Sequence, residues 1–448
     1  MEKQYDVIVL GTGSAGSIAA KKCKAAGWTV AIIDDRPFGG TCSQRGCDPK
    51  KVLVSAGELI DWNERMDGLG IDGEPTINWS DLMALKRTFT ASIPDDTEEK
   101  YKELGIDSFH GRAYFESEKD IRVGENRLTG KHILIATGAR PMEMGMEGEA
   151  YLATSDEFME LEELPKRIVF VGGGFISFEF AHLAARAGAE VHILHRSKNP
   201  LKQFDQDLVK FLLKRSEEIG IQVHLDVDVK SIQKNGETFT VTGEKNSVEQ
   251  QWKTDYVVHG AGRAPSLDIN LEAGNVERDK KGVSVNEYMQ SISNPHVYAA
   301  GDVASTKGPP LTPVASAESY VVAQNLIHGN TQKIDHPVVP SVVFTVPKLA
   351  SVGMSEQEAK ESGLDIEVKF EEVTDWFTYR HTNEAYAAYK VIIDKKNNLI
   401  IGAHFLSGEA DELVNNFAIA IRFKLPISEL KQMNFAYPTV ASDMAYMI

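Results

Sequence analysis

Two apolar strands each run straight into a glycine turn, and the two copies keep register afterwards. With three further strand–glycine segments, they predict an α/β protein built on two Rossmann-like dinucleotide-binding domains. The first copy is DVIVLGTGSAG, where the strand enters Gly11-x-Gly13-x-x-Gly16. The second is IVFVGGGFIS, with Gly172-x-Gly174-x-x-Ser177. The first glycine allows the tight turn, and the second lets backbone approach a pyrophosphate at a helix N-terminus. The third position must be small so that helix and strand can pack, which Ser177 still satisfies. One such turn alone is a weak signal; the repetition carries the fold.

The copies agree well past the glycines. Gly27 lies 16 residues after Gly11 and Gly188 lies 16 after Gly172, and the strands WTVAIID and AEVHILH follow. At 23 residues after the first glycine stand Asp34 in one copy and His195 in the other. A strand-end acid accepts hydrogen bonds from a ribose diol, so Asp34 suits the unphosphorylated adenosine ribose of FAD or NAD. The second copy lacks the acid and has Arg196 and Lys202 nearby. These cations would attract a 2′-phosphate, which favours NADP(H) over NAD(H); the alternative is a solvated basic turn. Two nucleotide sites in one chain suggest electron transfer between two cofactors.

The chain has 448 residues, 42% of them hydrophobic, long enough for two to four domains. No apolar run approaches the roughly 18 residues of a membrane span, and MEKQYDVIVLG enters a strand at once, leaving no room for a signal peptide. A net charge of −17 argues against nucleic acid, whose phosphates demand basic surface. Three cysteines cannot build a secreted disulfide framework, so a reducing, cytoplasmic setting is expected.

Two of those cysteines, Cys42 and Cys47, share the segment GGTCSQRGCDPKK. Five residues of regular helix rise about 7.5 Å, whereas a disulfide needs Cα atoms within roughly 7 Å. A redox pair here requires a bend, for which Gly46 and Pro49 provide flexibility and a missing donor. A zinc site lacks a second Cys or His pair nearby, so no resident metal is expected. Two inert buried thiols remain as the third reading. Arg45, Lys50 and Lys51 would favour a thiolate. Cys23, in IAAKKCKAAG, reads as a packing residue.

HILIATGARP (132–141), YVVHGAGRAP (256–265) and VYAAGDVAS (297–305) are strands ending in glycine turns. Together with both glycine loops, the GGTC-x4-C-x-P-x-K segment, LTPVASAE (311–318) and PSVVFTVPKLASVGMSEQEA (340–359), they make the chain resemble the class I pyridine nucleotide–disulfide oxidoreductases over nearly its whole length. This is the family of glutathione reductase, dihydrolipoamide dehydrogenase and mercuric reductase. The resemblance implies FAD with its pyrophosphate on Gly11, Gly13 and Gly16, its ribose on Asp34 and its ribityl chain on Asp302. The helix start near Ala315 would face the flavin pyrimidine, where a helix N-terminus stabilises negative charge. Ser14, Gly40, Thr41, Thr137, Gly138, Gly262, Arg263 and Gly301 complete the implied cofactor-binding set, with Gly172, Gly174, Ser177, Arg196 and Lys202 for the pyridine nucleotide. Lys51 and Glu179 match a buried ion pair beside the flavin. Electrons would pass from NADPH through FAD to a Cys42–Cys47 disulfide, with Cys47 proximal to the flavin and Cys42 attacking the substrate.

The family pattern breaks at the C-terminus. Disulfide-reducing members carry His-Pro-Thr-x-x-Glu in a tail that crosses to the partner subunit. This chain reads FAYPTVASDMAYMI, with Tyr437 for the histidine and Ser442 for the glutamate, and no histidine follows His404. Losing a positioned general acid–base typically costs roughly 10²–10⁴-fold in rate, and a tyrosine near pKa 10 is a poor base at neutral pH. Mercuric reductases also place a tyrosine here, but they end in a vicinal cysteine pair that this chain lacks. Tyr437 is read either as catalytic or as packing at the dimer interface.

The resemblance implies an FAD-binding domain in 1–150 and 269–335, an NAD(P)-binding domain in 151–268, and an α+β interface domain in 336–448. EELPKR (162–167) marks the first crossover and NTQKIDHP (330–337) the linker into the last domain, which would supply the interface of a homodimer. In it, AYKVIIDKKNNLIIGAHFLS (388–407) reads as a hairpin with a Lys-Lys-Asn-Asn turn and ADELVNNFAIAIRF as an amphipathic helix. The expected activity is an FAD-dependent NADPH oxidoreductase acting on a small-molecule disulfide, as glutathione reductase does. The rivals are reduction of a metal ion, quinone or other acceptor, and a redox sensor without turnover.

Overall fold

The run VIVL is apolar at four consecutive positions, the pattern of a parallel strand covered on both faces. In the computed structural model the strand Glu2–Leu10 is fully buried from Val7 to Leu10. The structure describes residues 2–336 and 338–448, so Pro337, the end of the expected linker, lies outside the described residues. By its internal contacts the chain divides into two units. The first takes residues up to Lys50, Lys86–Met142 and Arg263–His336; the second takes Lys51–Leu85, Glu143–Gly262 and the remainder to Ile448.

In the first unit, Glu2–Leu10 pairs in parallel with Val30–Asp34 on one side and Asn126–Ile135 on the other. Asp107–His110 extends the sheet in parallel beyond Val30–Asp34, and Val297–Ala299 adds a parallel partner to Asn126–Ile135. Helices Ser14–Ala25 and Thr312–His328 pack together, the first buried through Ala15, Gly16, Ala19, Ala20 and Cys23. Cys23 is thus the packing residue its context suggests: it is fully buried, and burial pushes its thiol up to about 12.

The second unit holds a four-stranded parallel sheet in the order Ile221–Leu225, Glu190–His195, Arg167–Val171, Tyr256–His259. An antiparallel meander, Asp228–Asn235, Thr238–Lys245 and Val248–Thr254, lies within it. After Pro337 comes a five-stranded antiparallel sheet with the helix Ala410–Arg422. Its central hairpin joins Ala388–Asp394 to Leu399–Ser407 through the Lys-Lys-Asn-Asn turn, where Asn398 takes a positive φ of 54°. No helix among the described residues is long and apolar enough to cross a membrane.

A buried cation ties this sheet to the part of the same unit that carries the four-stranded parallel sheet. Lys390, 3% exposed, meets Asp207 at 2.7 Å, Asp205 at 2.8 Å and Glu356 at 3.2 Å. Burial opposes its charge, but the hydrogen bonds it donates to these carboxylates outweigh that and raise its pKa. Lys390→Met should cost about 3 kcal/mol, the lower end for breaking a buried pair, because Asp207 and Glu356 are partly exposed. Their carboxyls are held below the ordinary values of 3.8 and 4.5, first by hydrogen bonds from Lys390 to Asp207 and from Lys360 to Glu356. The stability they contribute is therefore complete above those values and lost as pH falls through the depressed ones. Urea melts should show the Lys390→Met deficit at pH 7 and its shrinkage below pH 4; equal stability at pH 7 would show the cluster to be neutral.

Candidate active site

The glycine loops have the tight surroundings their spacing implies. A Cβ on Gly11 would lie 2.2 Å from the Ala136 carbonyl oxygen, and one on Gly172 would lie 2.3 Å from that of Gly260. Each loop thus abuts the companion strand-end turn, Ala136–Gly138 in one copy and Gly260–Gly262 in the other. Gly16 fits against the Gly11 carbonyl, where a Cβ would come within 2.0 Å. Ser177 is fully buried against Gly260, so the small residue there serves close helix–strand packing.

These contacts leave three helix starts without side-chain caps. Ser14–Ala25, Phe175–Arg186 and Thr312–His328 have Gly13, Gly174 and Leu311 at their N-caps, and none has an acidic residue in its first turn. Their first-turn N–H groups carry partial positive charge. The chain's residues therefore fit two pyrophosphates and a flavin pyrimidine that gains negative charge. Asp34 is set at its strand end, its Oδ2 accepting from the Thr12 backbone at 2.8 Å and hydroxyl at 2.6 Å, its Oδ1 from the Arg36 N–H at 3.0 Å. A carboxylate has about four lone-pair positions, so acceptor capacity remains for a ribose diol. Arg263 donates to the Ala139 carbonyl and Thr137 to that of Ser266, so Arg263–Pro265 is held antiparallel to Ala139–Pro141 just after Gly138. Asp302 is half-buried, and this desolvation raises its pKa, although the nearby Arg263 charge opposes it.

At the second loop, His195 is turned inward. Its Nδ1 accepts the Gly173 N–H at 3.0 Å, and its Nε2 faces the Asn199 carbonyl at 3.1 Å and the Ser197 hydroxyl at 2.8 Å. Burial, then the Lys202 and Arg196 charges, lower its pKa, so at neutral pH it is an imidazole that braces the loop. Arg196 and Lys202 are exposed around it, with a third exposed cation, Lys198, that the sequence reading passed over.

The cysteine segment touches the first glycine loop. Gly40 has φ +76°, and a Cβ there would lie 2.3 Å from the Gly13 Cα. Helix Gly40–Arg45 carries Thr41 and Cys42, and Cys47 begins the helix Cys47–Met66. The break falls at Gly46, where a Cβ would come within 2.8 Å of the Thr41 carbonyl and 3.0 Å of the Cys42 Cα. Buried Gln44 holds the turn by donating to the Pro37, Phe38 and Gly40 carbonyls, a role the sequence reading missed. Both cysteines are free thiols, Cys42 half-buried and Cys47 exposed. They titrate as a coupled pair. The hydrogen bond between them, aided by Thr312 and the Lys50 charge, holds Cys47 down to about 6 against partial desolvation by its surroundings, while the same bond and burial raise Cys42. Thr312, 3.6 Å from the Cys47 sulfur, lies in the LTPVASAE segment, where no spacing in the sequence links it to the cysteines.

One expectation is corrected. Lys51 lies 3.0 Å from Glu58 and 3.9 Å from Asp411, with its ammonium over the Phe344 ring, rather than paired with Glu179. Seven residues of helix bring Lys51 and Glu58 onto one face. Glu179, 2% exposed, accepts the Phe344 N–H at 2.8 Å. Lys50, in phase with Cys47, is the lysine whose charge reaches the thiol.

In the tail, Tyr437 is 83% exposed. Ser442 donates to the Thr439 carbonyl at 2.6 Å and caps its own short turn. Asp443 is buried with Oδ2 unpartnered, and burial raises its pKa. Among the described residues, no group of three or more His, Cys, Asp or Glu could hold a metal ion.

Residues 5–319 match the family described as pyridine nucleotide-disulphide oxidoreductase, and residues 339–448 match that family's dimerisation domain, which implies a homodimer. The chain is 65% identical over 180 residues, 40% of its length, to an uncharacterized 19.7 kDa protein in the mercuric resistance operon of Staphylococcus aureus, all of which is covered. It is 33% identical to a mercuric reductase of Staphylococcus aureus, covering 98% of this chain and 81% of that one. Among solved structures it is similar to the Cu(II) complex of RclA, an HOCl-induced flavoprotein disulfide reductase of Escherichia coli. The TM-score is 0.88 at 25% identity, covering 98% of this chain and 99% of that one. The chain belongs to the pyridine nucleotide-disulphide oxidoreductases, enzymes that use FAD and a pyridine nucleotide and act on sulfur groups.

Proposed function

We propose that this enzyme takes electrons from NADPH and delivers them through a Cys42–Cys47 redox pair to a small disulfide substrate. The observation that carries this is the geometry of the paired cysteines: the break at Gly46 brings Cys42 within hydrogen-bonding reach of Cys47, next to the first glycine loop and the Thr312 hydroxyl. Bound FAD would relay the electron pair from the nicotinamide to the cysteines. The chain's own part is to hold one thiolate at neutral pH, between the Thr312 hydroxyl and the Lys50 charge, and to leave Cys42 for interchange with substrate. Of the three cations that the sequence places near the cysteines, Lys50 is the one whose charge acts on the Cys47 sulfur.

The preference for NADPH rests on His195 being used to brace the loop, with Arg196, Lys198 and Lys202 exposed around it. A charged hydrogen bond contributes about 1.5–3 kcal/mol, so the KM for NADPH should lie at least about tenfold below that for NADH. Arg196→Ala with Lys202→Ala should close most of the gap; equal KM values in the unaltered enzyme would refute the assignment.

A metal-ion acceptor is the second reading, favoured by Tyr437 standing where disulfide reductases carry histidine and by the names of the relatives. NADPH consumption against glutathione disulfide, other small-thiol disulfides, quinones and metal salts distinguishes the two. Disulfide turnover that vanishes in Cys42→Ser supports the first. Turnover with metal salts alone supports the second, and turnover that survives the loss of both cysteines sinks both.

A further inference from the structure

Glu318 is a carboxylate buried to 1% exposure on the helix Thr312–His328. It accepts three hydrogen bonds at 2.8 Å each: from the Gly301 N–H, the Thr306 hydroxyl and His336 Nε2. The next residue, Ser319, is fully buried and donates to the Ala15 carbonyl in the first turn of Ser14–Ala25. Gly301 has φ +77°, and a Cβ there would lie 3.2 Å from the Ala15 Cβ and 3.4 Å from that of Ala315. The Gly301–Asp302 turn is thus wedged between two uncapped helix starts, and Glu318 pins it from behind. His336 has room because Gly308 packs against its ring, where a Cβ would come within 2.5 Å. Burial raises the pKa of Asp302, Arg263 opposes this, and the Glu318 charge adds to it.

Nothing in the thiol chemistry uses this buried pair. We propose that Glu318, with His336 as its hydrogen-bonded partner, is a positioning residue for the flavin. It fixes the Gly301–Asp302 turn against both helix N-termini and sets the negative field that the flavin feels. The inference rests on FAD occupying this cradle; a wild-type apoprotein that fails to take up FAD would refute that occupancy, not the role of Glu318.

The test is FAD titration of apoprotein by fluorescence, with the midpoint potential of the bound flavin as a second readout. E318A leaves the Gly301 N–H without its acceptor, so FAD affinity should fall about tenfold or more. E318Q keeps an acceptor without the charge. It should bind FAD nearly as wild type but with a more positive midpoint potential, since reduced flavin gains negative charge. His336→Phe removes the donor from the carboxylate and should shift the potential the other way. Should E318A fail to fold, the near-isosteric E318Q and His336→Phe decide by their potentials. Unchanged potentials in both overturn the proposal, as does wild-type FAD affinity in a folded E318A.

Discussion

Alkylation of the reduced enzyme by iodoacetamide should rise through a midpoint near pH 6, and Cys47→Ser should abolish that phase. The hydrogen bond from Cys42 is the largest cause of the lowered value; Thr312 and the Lys50 charge act in the same direction, while partial desolvation and Asp48 oppose them. Cys47 is therefore a thiolate at pH 7 and becomes a thiol as pH falls through about 6. A thiolate of low pKa is intrinsically less nucleophilic, yet at pH 6–7 its ionised fraction far exceeds that of an ordinary thiol titrating near 9. Thr312→Ala and Lys50→Met should each move the midpoint upward, whereas Lys51→Met should leave it in place, because Lys51 is held by Glu58 and Asp411. A midpoint near 9 in the unaltered protein would overturn the electrostatic account. Turnover in Cys47→Ser should fall by roughly 10³-fold or more, the scale of removing one member of a catalytic unit, because Cys42 then has no partner thiol through which to receive electrons.

What the sequence makes legible here is local. Gly11, Gly16 and Gly172 are forced by close backbone approaches, so their types and spacing announce the nucleotide loops directly. The bend between Cys42 and Cys47 is equally local and falls at Gly46 as the spacing demands. What escapes is what depends on helical phase and on partners far along the chain. Lys50 and Lys51 are adjacent in sequence, but one helical step of about 100° separates their faces, and only the fold shows Glu58 and Asp411 claiming the second. Thr312 meets Cys47 across 265 residues. The buried Glu318–His336 pair has no spacing signature. His195 was visible as a missing acid, but its bracing of Gly173 required the folded loop.

Restoring Tyr437→His together with Ser442→Glu should raise disulfide turnover by about 10²-fold, the lower end of the range for a positioned acid–base. The tail can accept the pair. Tyr437 is exposed, so its ring is not needed inside its own subunit. Ser442 stands three residues after the N-cap Thr439, where a glutamate can accept the Thr439 N–H in a capping box. That capping bond competes with orienting an imidazole, which is why the lower end of the range is expected. Asp443 cannot substitute, since it is buried and hydrogen-bonded to Thr378. The gain should come with a pH–rate limb near 6.5, the ordinary value for histidine, and should leave metal-salt turnover unaltered. Tyr437→Phe separates the remaining roles: a loss of turnover shows that the phenol hydroxyl donates a proton, and no change shows that the ring only packs. Disulfide turnover unmoved by the double substitution would mean that the limiting step lies before the substrate thiolate leaves, back at the flavin and the Cys42–Cys47 pair.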